Sequence, residues 1–179
     1  MFLIETDRLT IRPWTESDRP AFTALMSDPE VTKYVHGGLP YPESEIDEFF
    51  ERQQRQLRES DVCMGALCEK PSGRVVGIAG VQPLGTTGEL ELGWILARDV
   101  WGKGYATEAG AAAMRHVLDT LGRNRALAII DPDNEPSKRV ALRLGMTYDR
   151  RYTGVELGHR KPDLIVDLFY REAASVNRR

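Results

Sequence analysis

The segment Trp101-Gly102-Lys103-Gly104-Tyr105-Ala106-Thr107-Glu108-Ala109 has the composition of an anion-binding turn. It follows a predicted strand and opens a predicted helix. Small residues at such a junction let several backbone N–H groups point outward together, and the positive end of the helix dipole lies behind them. Groups arranged in this way bind phosphate oxygens. The sequence therefore predicts a phosphate site at this turn.

Two common nucleotide-binding patterns do not fit the turn. The Walker pattern fails because no Gly-Lys-Ser/Thr follows a four-residue gap, and the dinucleotide pattern fails because its third glycine position holds Thr107. A glycine turn between a strand and a helix can also be purely geometric. From the turn alone, the phosphate-binding and the structural interpretations both stay open.

Strands and helices alternate around the turn in a pattern that predicts its place in the fold. Alternating apolar residues and short turns predict three strands of an antiparallel meander, over residues 62–69, 75–84 and 89–97. A helix over 105–121 and a nearly continuous apolar strand over 126–130 follow. A strand, a crossover helix and a buried strand form a parallel unit, so we expect the turn to lie in a crossover connection.

The two ends of the chain add further elements. Before residue 60 we expect a strand from Leu3 to Trp14 and three helices, of which one is capped by Thr15, one starts at Pro29 and one runs from about Ile46 to Glu59. After residue 130 we expect a helix capped by Asn134 and ended by Gly145, and two strands near 146–152 and 163–170. These elements predict an α+β (α/β) fold: a mixed, mostly antiparallel sheet of about six or seven strands, flanked by helices, in a single domain over residues 1–179.

The charge balance and the chain start limit the possible partners and settings. With 24 Lys and Arg against 27 Asp and Glu, the net charge is −3, and no run of basic residues exceeds the pair Arg178-Arg179. This argues against nucleic-acid binding and leaves room for a cationic substrate. The apolar start Met1-Phe2-Leu3-Ile4 is too short for a signal peptide, and no apolar run is long enough to span a bilayer. We therefore expect a cytoplasmic protein with no membrane partner.

The cysteines and histidines do not predict a metal site. Cys63 and Cys68 lack a second pair to complete a zinc site, so we expect buried free thiols. His36, His116 and His159 are scattered and lack ligand spacing, so we expect no metal and mainly structural or exposed roles. Of the three, only His36 is expected near substrate, because it adjoins Gly37-Gly38.

The turn resembles the pyrophosphate turn of the GNAT acetyltransferases, whose pattern is Gln or Arg, two residues, Gly, one residue, and Gly or Ala. Here Trp101 stands at the Gln/Arg position, Gly104 at the glycine and Ala106 at the last small position. The departure at Trp101 is common in the subgroup similar to the ribosomal-protein N-terminal acetyltransferases of the RimJ/RimL type. Members of that subgroup read Trp-Gly-Lys-Gly-Tyr-Ala-Thr-Glu-Ala at this turn.

The resemblance extends along nearly the whole chain, in the order in which the subgroup has its motifs. The matching segments are Thr6-Asp7-Arg8-Leu9 with Arg12-Pro13, Asp28-Pro29-Glu30-Val31, Glu91-Leu92-Gly93-Trp94-Ile95, and Asn134-Glu135-Pro136-Ser137-Lys138-Arg139-Val140 with Leu144-Gly145-Met146. The resemblance implies a GNAT-like fold whose strand-helix-strand crossover carries the CoA site.

The resemblance also implies which residues hold acetyl-CoA, the acyl donor. Its pyrophosphate is expected on the turn, and its pantetheine arm against the backbone of the fourth strand, like an added strand. The expected cofactor-binding residues are Trp94, Ile95, Leu96, Trp101, Gly102, Lys103, Gly104, Tyr105, Ala106, Thr107, Asn134 and Ser137.

The transfer of an acetyl group to an amine requires a base, because alkylamines are mostly protonated near pH 7. Strand alternation places Glu89, Glu91, Gly93 and Ile95 on one face of the strand and Leu90, Leu92, Trp94 and Leu96 on the other. The resemblance implies Glu91 as the base, with Glu89 in reserve. The alternative is that Glu91 is an exposed strand carboxylate with no part in catalysis.

The acid that protonates the departing thiolate in many GNAT enzymes is a tyrosine seven residues after the capping asparagine, where this chain has Ala141. The resemblance therefore implies Ser137 as the group that hydrogen-bonds the sulfur, and Asn134 as a holder of the pantetheine arm or the amine.

The function implied is direct transfer of an acetyl group from acetyl-CoA to a primary amine in a ternary complex. The acceptor is a protein N-terminus, an aminoglycoside, a polyamine or a metabolite amine, and the segments 35–44 and 152–163 are expected to choose among them. The alternative is a non-catalytic acyl-CoA-binding regulatory module. We expect a monomer or a homodimer.

Overall fold

The computed structural model of the protein describes residues 2–174 and contains one sheet with helices on both faces. In chain order its elements are β1 (Ile4–Glu5), β2 (Leu9–Arg12), α1 (Arg19–Leu25), α2 (Pro29–Thr32), α3 (Glu43–Ser60), β3 (Met64–Glu69), β4 (Val75–Pro83), β5 (Leu90–Leu96), α4 (Tyr105–Arg115), β6 (Arg125–Ile130), α5 (Glu135–Arg143), β7 (Thr147–Thr153) and β8 (Ile165–Glu172). Short 3₁₀ segments precede α1 and follow β5, and a π-helical segment, His116–Thr120, continues α4.

The sheet has the order β1-β2-β3-β4-β5-β6-β8-β7 across the described residues. All neighbouring strands are antiparallel except β5 and β6, which are parallel and joined by the crossover through α4. The predicted mixed, mostly antiparallel sheet is confirmed. It has eight strands because the predicted strand over 3–14 turns at Thr6, whose backbone and hydroxyl bond with Leu9, and folds into the β1–β2 hairpin.

The helices cover the two faces of the sheet and divide the core. The helices α4 and α5 pack on one face through small and apolar side chains, Ala109, Ala112, Ala113, Val140 and Ala141. The helices α1 to α3 pack on the other face through an aromatic group formed by Trp14, Phe22, Phe49 and Phe50. Within residues 2–174 no helix has the length and apolar character needed to cross a membrane.

The alternation along β5 decides which of its side chains reach each face. Leu90 and Leu92 join the core beneath α4 and α5. Gly93 and Ile95 face the other layer, where Ile95 packs against the aromatic group and a Cβ on Gly93 would collide with the side chain of Met64. The alternation of β5 side chains between the two faces of the sheet is therefore the one expected from the sequence.

Candidate active site

A cleft opens where β5 and β6 separate. The strand β5 pairs with β4 along its whole length, from Pro83 opposite Leu90 to Gly77 opposite Leu96. Its pairing with β6 in the described chain is limited to Glu91 opposite Leu127. Beyond Glu91 the second edge of β5 is therefore not covered by β6, and an uncovered strand edge can bind an extended ligand by strand addition.

A cavity of about 240 Å³ occupies this cleft and is lined by residues from both sides of the sheet. It brings together five of the residues predicted from the sequence, Glu91, Trp94, Ile95, Asn134 and Ser137. Residues from both predicted selectivity segments line it as well: Val35 and Tyr41 from 35–44, and His159, Arg160 and Lys161 from 152–163. The strand, the start of α5 and the two segments thus enclose one space.

Glu91 is a buried carboxylate in the wall of the cavity, with 4% of its surface exposed. Its Oε1 accepts a hydrogen bond of 2.5 Å from the Gln82 amide, which lies directly across the β4–β5 ladder. Its Oε2 is buried and has no partner within residues 2–174. Burial raises the pKa of Glu91 to about 7, against the opposing hydrogen bond from Gln82. A carboxyl group with this pKa can accept a proton near neutral pH.

Glu89, the reserve candidate, lies outside the cavity. It precedes the first residue of β5, and its Oε1 pairs with the guanidinium of Arg125, with Nη2 at 2.8 Å and Nε at 2.9 Å. The geometry therefore separates the two carboxylates, with Glu91 inside the cleft and Glu89 in a surface ion pair.

Asn134 and Ser137 stand at the start of α5, where the chain turns from β6 into the helix. The Asn134 Oδ1 accepts a hydrogen bond of 3.1 Å from the Ser137 N–H, and Pro136 lies in the first turn, where its missing N–H is harmless. Both residues line the cavity. The described residues provide no partner for the Ser137 hydroxyl, which is thus available to a ligand.

Ala141 is fully buried in the core beneath α5 and does not line the cavity. Two tyrosines do line it: Tyr41, in the predicted selectivity segment 35–44, and Tyr34, which lies just before that segment and was not predicted. Burial raises the pKa of Tyr41, so its phenol stays protonated at neutral pH.

The glycine turn has a left-handed backbone at two positions. Gly102 and Gly104 adopt positive φ angles of 77° and 79°, which L side chains rarely adopt. A Cβ on Gly102 would meet nothing within 4 Å, and one on Gly104 would meet only the Arg8 guanidinium at 3.6 Å. The space over the turn is therefore open to a ligand, and the first N–H groups of α4, at Tyr105, Ala106 and Thr107, have no partner within the helix.

Two contacts tie the turn to its surroundings. The indole N–H of Trp101, a residue with 48% of its surface exposed, donates to the Leu96 carbonyl at 2.8 Å and so links the turn to the end of β5. The guanidinium of Arg8 donates to the Lys103 carbonyl at 3.0 Å. The turn and the free edge of β5 therefore form one continuous path that ends at Glu91.

The side chain of Tyr105 does not face this path. Its ring is buried, its hydroxyl donates to Glu69 at 2.6 Å, and Arg8 lies over its ring. Tyr105, one of the predicted cofactor-binding residues, can therefore reach a phosphate only through its backbone N–H.

The histidine prediction was wrong in part. His159, not His36, lines the cavity, because the segment after β7 folds back over the cleft. Burial lowers the pKa of His159 and favours its neutral form. His36 instead pairs with Glu45 at 3.3 Å and packs on Tyr41. Cys63 and Cys68 are free and buried, as predicted, and neither lines the cavity.

Comparison with known proteins assigns the chain to a family. A model of the acetyltransferase (GNAT) domain matches residues 8–147. The uncharacterized N-acetyltransferase p20 of Bacillus licheniformis is 30% identical over 76% of this chain and 78% of its own. The structure of an acetyltransferase from Agrobacterium tumefaciens superposes with a TM-score of 0.80 at 26% identity, over 96% of this chain and 95% of its own.

A more distant structure shares the fold. The ribosomal L7/L12 α-N-protein acetyltransferase RimL, solved with coenzyme A, superposes with a TM-score of 0.75 at 17% identity, over 96% of this chain and 98% of that one. The chain belongs to the GNAT acetyltransferase family and is an N-acetyltransferase by class. Acetyl-CoA is the acyl donor that this family uses.

Proposed function

We propose that the protein transfers an acetyl group from acetyl-CoA to a primary amine by direct attack, with both substrates bound and no covalent enzyme intermediate. One observation carries this proposal: the Glu91 carboxyl is buried in the cavity wall where β5 and β6 separate, with one oxygen unpartnered. An amine acceptor must lose a proton before it can attack. Glu91 is the group in the cleft suited to accept it.

The residues on the path from the turn to Glu91 suit the two parts of the donor. We propose that residues 101–107 hold the pyrophosphate through backbone N–H groups and that the uncovered edge of β5 at Trp94 to Leu96 holds the pantetheine arm. When bound, acetyl-CoA supplies an activated acetyl thioester. The Oδ1 of Asn134 already caps α5. Its Nδ2 group is therefore the part of the side chain that orients the arm or the amine.

Glu91, directly or through water, takes a proton from the ammonium form of the acceptor. The neutral nitrogen bonds to the thioester carbonyl carbon as the carbon–sulfur bond breaks. The second N–H proton is lost as the amide forms and the sulfur leaves as CoA thiol, so one proton is released overall. Ser137 stabilises the sulfur by donating a hydrogen bond from its hydroxyl group.

Small amines and protein N-termini are both candidate acceptors. The fold is shared with RimL, which acts on a protein N-terminus, and that likeness keeps an N-terminal acceptor among the candidates. The segments 35–44 and 152–163 both line the cavity, which supports our proposal that they select the acceptor.

A non-catalytic acyl-CoA-binding module is the second candidate function. It is favoured by Ala141, because the tyrosine acid of many relatives is missing there and the alanine is buried away from the cavity. Such a module would bind the donor and give no turnover with any amine.

Binding and turnover separate these candidates. Acetyl-CoA at a hundredfold excess over its dissociation constant is expected to stabilise the folded protein by about 2.7 kcal/mol, because a ligand bound only by the folded state stabilises that state. ATP and NAD should raise the melting temperature much less. Melting curves with each ligand, followed by thiol release with a library of amines, test the proposal. A shift with NAD and none with acetyl-CoA would contradict it, and a shift with acetyl-CoA without thiol release from any amine would favour the binding module.

Replacement of Ser137 by alanine tests the sulfur contact. We expect turnover to fall roughly fivefold, the effect of losing a hydrogen bond of about 1 kcal/mol. Acetyl-CoA affinity should change little, and higher pH should not restore the loss, because departure of the sulfur does not depend on the ionisation of the amine. Steady-state kinetics from pH 6 to 9 measure this, with Ser17→Ala, an exposed serine outside the cavity, as control. Unchanged turnover in Ser137→Ala would remove Ser137 from the mechanism.

A further inference from the structure

One side of the cavity carries a cluster of cations that acetyl transfer to a simple amine does not require. Arg52 reaches it from α3, and Arg160 and Lys161 reach it from the segment between β7 and β8. The three lie close enough to affect one another: burial lowers the pKa of Arg52 and of Lys161, and in both cases the charge of Arg160 lowers it further. We call these three residues the cationic wall.

The guanidinium of Arg52 is largely buried and incompletely paired, with the Phe49 ring 5.4 Å from it. Its side chain is 15% exposed, and its Nη1 is buried without a hydrogen-bond partner among the described residues. The carboxylate paired with it, that of Glu48, has its nearest oxygen 3.7 Å from Nη1, beyond hydrogen-bond distance. Arg12 shows the contrast, because it binds Asp18 through two hydrogen bonds of 2.7 and 2.8 Å.

The acidic groups near the cationic wall do not neutralise it from within the cavity. Glu45 bonds to His36, and Glu48 is largely exposed; neither lines the cavity. Their charges oppose the lowering of the pKa of Lys161, and Glu48 opposes that of Arg52, but the pKa of both cations stays lowered. The two acids that do line it are Glu91, whose raised pKa leaves it partly protonated near neutral pH, and Asp131, which accepts a hydrogen bond from the Asp133 N–H. The cavity wall therefore carries a local excess of positive charge, although the net charge of the chain is −3.

An incompletely paired cation in a cavity wall is costly unless a ligand supplies the missing anion. We infer that the acceptor is a small amine that carries a carboxylate, which the cationic wall binds while the amine faces Glu91. This inference rests on the proposed function and names its substrate class. A guanidinium and a carboxylate form parallel hydrogen bonds, which would orient as well as bind the acceptor. The volume of about 240 Å³ suits a small molecule, and a polyamine would meet like charges.

Matched acceptors test the inference. Glycine, β-alanine and γ-aminobutyrate vary the distance from amine to carboxylate, phenylalanine and glutamate vary the side chain, and each is compared with its carboxamide and with spermidine in a thiol-release assay. We expect kcat/KM for at least one amino carboxylate to exceed that of its amide by tenfold or more. The higher basicity of the amino acid's amine works against this preference, so amine ionisation cannot produce it.

Substitutions in the cationic wall connect the preference to its residues. In Arg52→Gln we expect KM for the preferred carboxylate to rise roughly tenfold to a hundredfold, the effect of losing hydrogen bonds between charged groups, and KM for its amide to change far less. Arg160→Gln and Lys161→Gln, on an exposed segment, test the same point if Arg52→Gln does not fold. Arg58→Gln lies on the same helix outside the cavity and is the matched control.

The outcomes separate this inference from the proposed function. Preferred turnover of amides or spermidine would overturn the inference and leave acetyl transfer intact. Turnover of peptides with acidic N-terminal residues and of no small carboxylate would also overturn it, by assigning the cationic wall to a protein substrate. Acetyl-CoA binding without turnover of any amine would overturn both. A carboxylate preference that survives Arg52→Gln, Arg160→Gln and Lys161→Gln would overturn the assignment of these residues.

Discussion

Replacement of Glu91 by glutamine is expected to lower turnover about a hundredfold or more, the usual contribution of a positioned base. The substitution keeps the shape of the side chain and its contact with Gln82 but removes the ability to accept a proton. Acetyl-CoA affinity should stay nearly unchanged, because the turn that is proposed to hold the pyrophosphate is untouched. Steady-state kinetics with an accepted amine, together with a binding titration, measure both quantities.

The pH profile identifies the reason for the loss. Burial raises the pKa of Glu91 to about 7, so wild-type turnover should rise with pH through this value as the carboxyl becomes a base. In Glu91→Gln this limb should disappear. Activity should then recover only at higher pH, where more of the amine is already neutral.

The same substitution should stabilise the folded protein. Above pH 4.5 the carboxyl of the unfolded chain loses its proton while the buried group keeps it up to about pH 7, so ionisation favours unfolding over this range. A pKa raised from 4.5 to about 7 corresponds to about 3 kcal/mol. We expect Glu91→Gln to exceed the wild type in free energy of unfolding by up to this amount at pH 8 and by almost nothing at pH 4, as measured by urea denaturation.

Glu89→Gln is the matched control, since Glu89 is on the same strand segment but pairs with Arg125 outside the cavity. It should retain turnover. If Glu91→Gln is fully active while Glu89→Gln is not, Glu89 is the base. If both are active, bulk water or another cavity residue accepts the proton.

Replacement of Gly104 by valine is expected to weaken acetyl-CoA binding by at least about a hundredfold, because a side chain over the turn blocks phosphate from two or more backbone N–H groups. The Cβ itself would meet only the Arg8 guanidinium at 3.6 Å, so the fold has room for the change. A φ of 79° imposes strain of about 1–3 kcal/mol on the variant. Calorimetric titration with acetyl-CoA and a melting curve separate the two effects.

Gly88→Val is the control for strain. Gly88 has a φ of 78° and nothing within 4 Å of its Cβ position, but it lies in the β4–β5 connection, outside the cavity. It should lose a similar stability and keep acetyl-CoA affinity. Normal binding by a folded Gly104→Val would show that the turn is not the phosphate site.

Local chemistry made much of the fold predictable from the sequence. Three features depend on only a few neighbouring residues, and the structure has them at the expected positions. They are the glycine turn at 102 and 104, the helix cap at Asn134 and the alternation of side chains along 89–97. The strand over 3–14 was the exception. Its break depends on the bonds of Thr6 with Leu9, which a pattern of apolar residues does not reveal.

The residues of the cavity were only partly predictable. Gln82 carried a local signal, as a polar residue in an apolar strand, but its role depends on the β4–β5 register that sets it opposite Glu91. Arg52 lies more than 100 residues before Arg160 and Lys161 in the sequence, and it meets them only because the segment after β7 folds back over the cleft.

The sequence by itself determined the glycine turn, the helix caps and the alternation of side chains along β5, because each depends on residues close along the chain. The order of its motifs also carried the resemblance that placed the chain among the acetyltransferases. Only the tertiary structure decided that Glu91 rather than Glu89 enters the cleft, that His159 rather than His36 lines it, and that three cations face one side of it. The burial and the local charge at these positions depend on residues from distant segments of the chain. Those residues come together only when the sheet and the helices pack around the cleft between β5 and β6.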